Sequence, residues 1–227
     1  MIALFAIINN KEGFETDPKT EKVFNIIKEN TLKTDFSNWN ASCEWNLLIV
    51  NNKNTIPKDF KTNLKKYSDM DVDFRIIYCL NEMISDAYKQ NIKLWVSSGY
   101  RSINRQDKLF KDKIQEFILN GYNESKAEIL AQETIAKPGE SEHHLGLAVD
   151  LNGVKDDFCN TNEYNWLIEN CTNYGFILRY TKEKQKITGK KYEPWHFRYV
   201  GENHAKKMKE KNMCLEEYVS YLMEQSS

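Results

Sequence analysis

Ser141-Glu142-His143-His144-Leu145-Gly146-Leu147-Ala148-Val149-Asp150-Leu151 is the stretch on which the reading of this chain turns. Residues 147–151 read as a strand, and successive side chains of a strand point to opposite faces. Leu147, Val149 and Leu151 then face a core, while Ala148 and Asp150 leave from the other side. A carboxylate enclosed beside a small residue needs a partner, because a buried unpaired charge is costly. A metal ion would serve, and so would a basic side chain. His143 precedes the strand on a loop containing Gly146, which allows it to fold back toward Asp150. Alone, the segment fits a salt-bridged aspartate beside a surface histidine equally well.

A second segment, Tyr192-Glu193-Pro194-Trp195-His196-Phe197-Arg198-Tyr199, narrows the choice. As a strand it turns Trp195, Phe197 and Tyr199 toward a core and His196 the other way. Pro194 rules out a helical arrangement of Glu193 and His196, so a bend at Pro194 has to bring them together. A carboxylate near a ligand histidine is what metal-assisted hydrolysis requires, a base beside an activated water. Together the segments supply His143, Asp150 and His196, three ligands that leave the fourth tetrahedral position of zinc to water. The two remaining histidines are expected to be spectators: His144 beside a ligand, and His204 as a solvated residue of a lysine-rich helix.

Outward from these segments the pattern is that of an α+β fold, a small, largely antiparallel sheet surrounded by helices. Strands are expected over 45–50, 92–96, 147–151, 176–180 and 195–200. Asp71 is expected to open a long helix with an apolar stripe of Val72, Ile76, Cys79, Leu80, Met83 and Ala87. Further helices are expected over 103–119, 124–135 and 162–174, the last stopped by Gly175, with helix again at the C-terminus. Residues 1–44 read as an N-terminal extension and 45–227 as the catalytic domain. Within the extension, Asp17-Pro18 opens a helix over 18–33, and 34–42 reads as a polar linker. The apolar run 2–8 is too short for a membrane span, which takes about 20 residues, and lacks the basic start of a signal peptide. It is either a first strand or the tail of an anchor.

The 227 residues are 29% charged and 41% apolar with a net charge of −1, a balance suited to a soluble globular domain. Acidic and basic residues are interleaved, which argues against a nucleic-acid partner. Five cysteines, Cys43, Cys79, Cys159, Cys171 and Cys214, are scattered singly without metal-knuckle spacing. Cys79 and Cys171 lie on apolar stripes and read as small buried hydrophobes.

The two segments resemble the VanY-type D-alanyl-D-alanine carboxypeptidases, part of a wider group of zinc peptidases that includes VanX dipeptidases, L,D-carboxypeptidases and phage endolysins. The family pattern Ser-x-His-x-x-Gly-x-Ala-x-Asp is met by Ser141, His143, Gly146, Ala148 and Asp150, and Glu-x-Trp-His by Glu193, Trp195 and His196. Ser98-Gly99-Tyr100-Arg101-Ser102 with Gln106 also matches, as does the run 175–180 leading to Ile187-Thr188-Gly189. The likeness spans roughly 45–202. It implies one zinc ion on His143, Asp150 and His196, with Glu193 as general base. It implies Arg101 on the scissile carbonyl or the substrate carboxylate. Gln106 and Ser141 would bind the C-terminal end of the peptide, with Ser98, Tyr100 and Trp195 around it.

The substrate implied is a peptidoglycan stem peptide ending in D-Ala. Cutting a tetrapeptide (L,D) or the free dipeptide would use the same metal and base. A non-catalytic wall-peptide binding module would be expected to lack a ligand or the base, and none is missing. Assembled wall lies outside the membrane, which favours the cell envelope, possibly with an anchoring segment. The missing export signal leaves the cytoplasm open. A monomer is expected, in glycopeptide resistance or in routine wall maturation.

Overall fold

The computed structural model describes Phe36, Trp39 and residues 44–225. The expected helix over 18–33 and the apolar run 2–8 lie outside the described residues. Phe36 and Trp39 fall in the stretch expected to be a linker. Phe36 is buried, and its N–H donates to Asn54 Oδ1 at 3.2 Å. Trp39 Nε1 donates to Leu47 O at 3.2 Å.

The fold is α+β. A hairpin comes first, β1 (Leu64–Tyr67) paired antiparallel with β2 (Met70–Asp73). A single 3₁₀ turn leads to helix α1 (Ile77–Lys89). Then follow β3 (Val96–Ser98), α2 (Ile103–Leu119), α3 (Glu124–Thr134) and β4 (Ala148–Leu151). Helix α4 (Asn162–Asn170) precedes β5 (Phe176–Leu178), and the short α5 (Gln185–Thr188) precedes β6 (His196–Tyr199). Helices α6 (Glu202–Lys211) and α7 (Leu215–Gln225) complete the described chain. The main sheet has the order β3-β4-β6-β5, with every pairing antiparallel.

Local signals explain the helix starts. Ser102 Oγ accepts from Arg105 N–H at the head of α2, and Asn123 Oδ1 accepts from Lys126 N–H at the head of α3. One face of the sheet rests on Leu80, Met83, Leu147, Val149, Leu151, Phe176 and Phe197, all fully buried or nearly so. Each such side chain contributes about 1.5–3 kcal/mol relative to an exposed one. A second cluster joins Leu47, Ile49, Val200, Leu215, Tyr218 and Val219, and it fastens α7 to the rest.

Three expectations need correction. Residues 45–50 form no strand: Leu47 to Val50 are all buried, and the backbone is held by side chains, with Asn46 O and Leu48 O accepting from Arg198 Nη2 at 3.1 and 3.0 Å. The helix expected from Asp71 begins later, because Met70–Asp73 pair with β1 and Asp73 caps the following turn through Arg75 N–H. Its apolar stripe is real, but Val72 supplies it from a strand. The strand expected over 92–96 pairs only from Val96. Upstream of it the Asn152 amide stands in for a ladder, donating to Lys93 O and accepting from Trp95 N–H.

Helix α4 passes into a 3₁₀ turn (Cys171–Tyr174) that ends at Gly175, φ 79°. A Cβ there would lie 2.9 Å from Glu202 N, Gly201 C and Tyr199 Cε2. Gly175→Ala is therefore expected to cost about 2–3 kcal/mol, from the left-handed backbone plus the collision. Gly121→Ala, at φ 93° with nothing within 4 Å, should cost only about 1 kcal/mol. Urea unfolding of the two variants checks the difference, and equal losses would remove the steric argument.

Candidate metal centre

In the pairing of β4 with β6, Asp150 lies directly opposite His196, and directly opposed residues share a face. His143 joins them from a 3₁₀ turn, Glu142–Leu145, whose N-cap Ser141 accepts from His143 N–H at 3.4 Å. The ligand atoms of the three lie within 4.8 Å of one another. Nε2 of His143 is 3.4 Å from Asp150 Oδ2, and Nδ1 of His196 is 3.3 Å from Asp150 Oδ1. All three residues are at most 4% exposed.

The outer contacts fix which nitrogen each imidazole presents. Nδ1 of His143 sits 2.7 Å from Gly99 O, and a carbonyl only accepts, so Nδ1 carries the proton and the Nε2 lone pair faces Asp150. His196 is turned the other way: Nδ1 faces Asp150, and Nε2 faces Glu142 Oε2 at 3.6 Å. Asp150 Oδ1 is buried and makes no hydrogen bond, its approach to His196 having ion-pair distance without hydrogen-bond geometry. Burial alone would raise the Asp150 carboxyl, yet His143 and His196 hold it well below the usual carboxylate range. Burial likewise disfavours the His196 imidazolium, but Asp150 and Glu142 push it up to about 9. The cluster thus attracts positive charge, and two imidazoles with one carboxylate form a donor set that fits a divalent ion such as zinc.

Glu193 reaches the cluster through the expected bend at Pro194. His196 N–H donates to Glu193 O at 3.2 Å, and Glu193 N–H donates to Tyr180 O at 3.1 Å. Glu193 Oε2 then lies 3.4 Å from His196 Nδ1. Burial raises the Glu193 carboxyl, the direction that suits a base near neutral pH.

Arg101 follows β3, and its N–H donates to His143 O at 3.1 Å. Nη1 donates to Gln106 Oε1 at 2.9 Å and Nη2 to Ser98 Oγ at 3.3 Å. Gln106 is fully buried and donates in turn to Ala136 O at 2.6 Å. Arg101, Gln106, Ser141, Glu193 and Trp195 line a cavity of about 300 Å³ together with His143, Asp150 and His196. Ser98 and Tyr100 are outside that wall: Ser98 stands behind Arg101, and Tyr100 N–H donates to Asp71 O at 2.6 Å. His144 is a strut, its Nδ1 2.7 Å from Arg101 O and its Nε2 accepting from Gly139 N–H. His204 is not the solvated residue expected, since its Nδ1 lies 2.9 Å from Tyr218 Oη and its side chain is 17% exposed.

The sequence reading missed the charged wall behind His196. Glu142 Oε1 accepts from both Arg179 Nε and Arg198 Nη1 at 2.8 Å, and Arg179 also donates twice to Glu216, at 2.9 and 2.6 Å. Two carboxylates and two guanidiniums balance, all of them nearly or wholly inaccessible. Burial opposes ionisation of Glu142, but Arg179 and then Arg198 hold its carboxyl well below the usual range. The two arginines respond in opposite directions, Arg179 raised and Arg198 lowered. Arg179 has Glu216 to itself besides the shared Glu142, whereas Arg198 has only the shared one and otherwise meets carbonyls, so burial prevails there. The available signal was an arginine next to each of two apolar strand segments, since each demands an acid.

Two imidazoles and a carboxylate converging in one cavity, with a further carboxylate beside them, are the arrangement a metal-dependent hydrolase uses. Residues 70–202 match the VanY family, described as D-alanyl-D-alanine carboxypeptidase. A D-alanyl-D-alanine carboxypeptidase of Enterococcus faecalis is 38% identical over 194 residues, covering 85% of this chain and 72% of that protein. Two crystal structures, each 40% identical, cover 78% of this chain. One is the vancomycin-resistance D,D-pentapeptidase VanY with Zn(II) (TM-score 0.72, 99% of that chain), the other VanYB with D-alanine-D-alanine (TM-score 0.71, 98%). The chain belongs to the VanY family of carboxypeptidases.

Removing one member of the buried charge quartet leaves a guanidinium under-compensated. Glu216→Gln is expected to lower stability by about 3 kcal/mol or more. Glu202→Gln, which breaks the exposed pair with Lys206, should change it by less than about 1 kcal/mol. Denaturant midpoints of the two variants test this, and a small loss for Glu216→Gln would mean that water compensates Arg179.

Proposed function

We infer that this chain is a zinc-dependent D,D-carboxypeptidase that removes the C-terminal D-Ala from peptidoglycan stem pentapeptides. The observation that carries the reading is Glu193 held against the His143–Asp150–His196 cluster in a cavity that Arg101 also lines. Residues 45–227 are taken as the catalytic domain. His143, Asp150 and His196 would hold one zinc ion, which when bound acidifies water and polarises the scissile carbonyl.

The chain's own residues account for the rest. Glu193 takes a proton from the attacking water and passes it to the amine of the departing D-Ala. Arg101 donates to the carbonyl oxygen as negative charge develops on it. Gln106 and Ser98 hold the guanidinium in place, and Tyr100 belongs to the loop that carries it. Ser141 and Trp195, both in the cavity wall, bound the space for the terminal residue. The wall peptide as substrate places this activity at the cell envelope. Among the described residues no helix is long and apolar enough to cross a membrane.

D-alanine release from a UDP-linked muramyl pentapeptide tests the assignment, with zinc, without it and with a chelator. Release should depend on zinc and stop with the chelator. Glu193→Gln should keep one zinc per chain while kcat falls about 10²–10⁴-fold, the span of general acid–base catalysis. His196→Ala should lose the metal itself. Release from a tetrapeptide in place of the pentapeptide would make the enzyme an L,D-carboxypeptidase, and metal-independent release would overturn the reading.

A further inference from the structure

The reaction as described leaves one cation of the cavity without a task. Lys190 is half-buried and belongs to the same wall as Arg101 and Glu193. Its ammonium has neither a hydrogen bond nor an ion pair among the described residues. Every other lysine here that is paired with a carboxylate sits outside this wall. Placing a bare ammonium in a confined wall is unfavourable unless something occupies the cavity for part of the time.

The backbone delivers Lys190 deliberately. Helix α5 stops at Gly189, φ 68°, and Lys190 N–H donates to Thr188 Oγ1 at 3.3 Å. Thr188 is buried, and its hydroxyl donates to Lys184 O. The Ile187-Thr188-Gly189 run therefore sets where the next side chain goes. Burial weighs most on the ammonium and disfavours its charge, while Glu193, then Glu140 and Glu142, favour it from a distance. Glu193 and Glu140 are in the same wall.

Arg101 is placed differently. Two of its nitrogens are already tied to Gln106 and Ser98, and the carboxylate that acts on it most strongly is Asp150 of the metal cluster. It is thus fixed beside the reacting carbonyl. A peptide cut at its last bond brings two oxygen anions into about 300 Å³: the one that develops on the carbonyl, and the permanent carboxylate of the terminal residue. Two cations line that space, and only Arg101 is tied in place, by Gln106 and Ser98.

We propose that Lys190 is the residue that recognises the free C-terminal carboxylate of the peptide substrate, leaving Arg101 to the scissile carbonyl. The proposal rests on the carboxypeptidase reading above. It makes Lys190 the specificity determinant for cutting at a chain end in preference to an internal bond. A charge-assisted hydrogen bond accounts for the discrimination, because an amide in place of the carboxylate leaves the ammonium unpaired.

The test compares one acyl-D-Ala-D-Ala peptide as free acid and as C-terminal amide, with zinc-loaded wild type, Lys190→Met and Lys190→Arg. Wild type should prefer the acid. Lys190→Met should lose about 10- to 100-fold in kcat/KM on the acid, mostly through KM, with little change on the amide. Lys190→Arg should keep the preference. An acid-to-amide ratio that survives in Lys190→Met overturns the proposal. So does an equal loss on both substrates with a shifted pH profile, which would mean that Lys190 only offsets the charge of Glu193 and Glu140. Calorimetric binding of both peptides to zinc-loaded Glu193→Gln, with and without Lys190→Met, reads recognition apart from turnover. An acid preference there that vanishes with Lys190 upholds the proposal even if wild type cuts neither peptide, a result that would count against the assigned reaction alone.

Discussion

The pairing of Asp150 with His196 across β4 and β6 is the constraint on which the rest depends. Side chains alternate along a strand, so a slip of one residue would send either group to the apolar side. The register is held by Val149 opposite Phe197, both fully buried against the helices. Packing on one face of the sheet therefore positions the chemistry on the other. His143 enters from outside the sheet, and its Nδ1 bond to Gly99 ties it to the loop after β3. Two strands and a 3₁₀ turn thus fix one point in space.

A site of this kind has an electrostatic problem at its back. Asp150, Glu142 and Glu193 gather around one imidazole, in a volume with little water to screen them. Arg179 and Arg198 answer it from behind, and Glu216 prevents them from overshooting. The carboxylate nearest His196 Nε2, at 3.6 Å, is consequently kept ionised, and its charge favours a proton on that nitrogen. Side chains that never touch the cavity thereby bear on the protonation of a group that does.

The residues that cluster at the site, and most helices, were legible in the sequence because each leaves a local mark. His143, Asp150, His196 and Glu193 occupy two short motifs, and alternation alone puts Asp150 and His196 opposite their apolar neighbours. Helices α2 and α3 declare themselves through Ser102 and Asn123. Residues 45–50 misled because burial on every side looks like a central strand, whereas an arginine side chain from β6 does the work of a partner strand. The hairpin of β1 with β2 went unseen because Val72 continues the periodicity of the helix behind it. Glu142, Arg179, Arg198 and Glu216 were hidden for another reason: their meaning lies in contacts between positions 37 to 56 residues apart. Lys190 carried no mark beyond the turn before it.

Arg179 also joins the wall behind His196 to helix α7. His143, Asp150 and His196 all lie at or before β6. Glu216 comes later, on α7, and without that helix Arg179 would keep only Glu142 of the two carboxylates it meets here. The two motifs can therefore be present in a chain without the charge balance that surrounds them here, because one member of the buried quartet comes from α7.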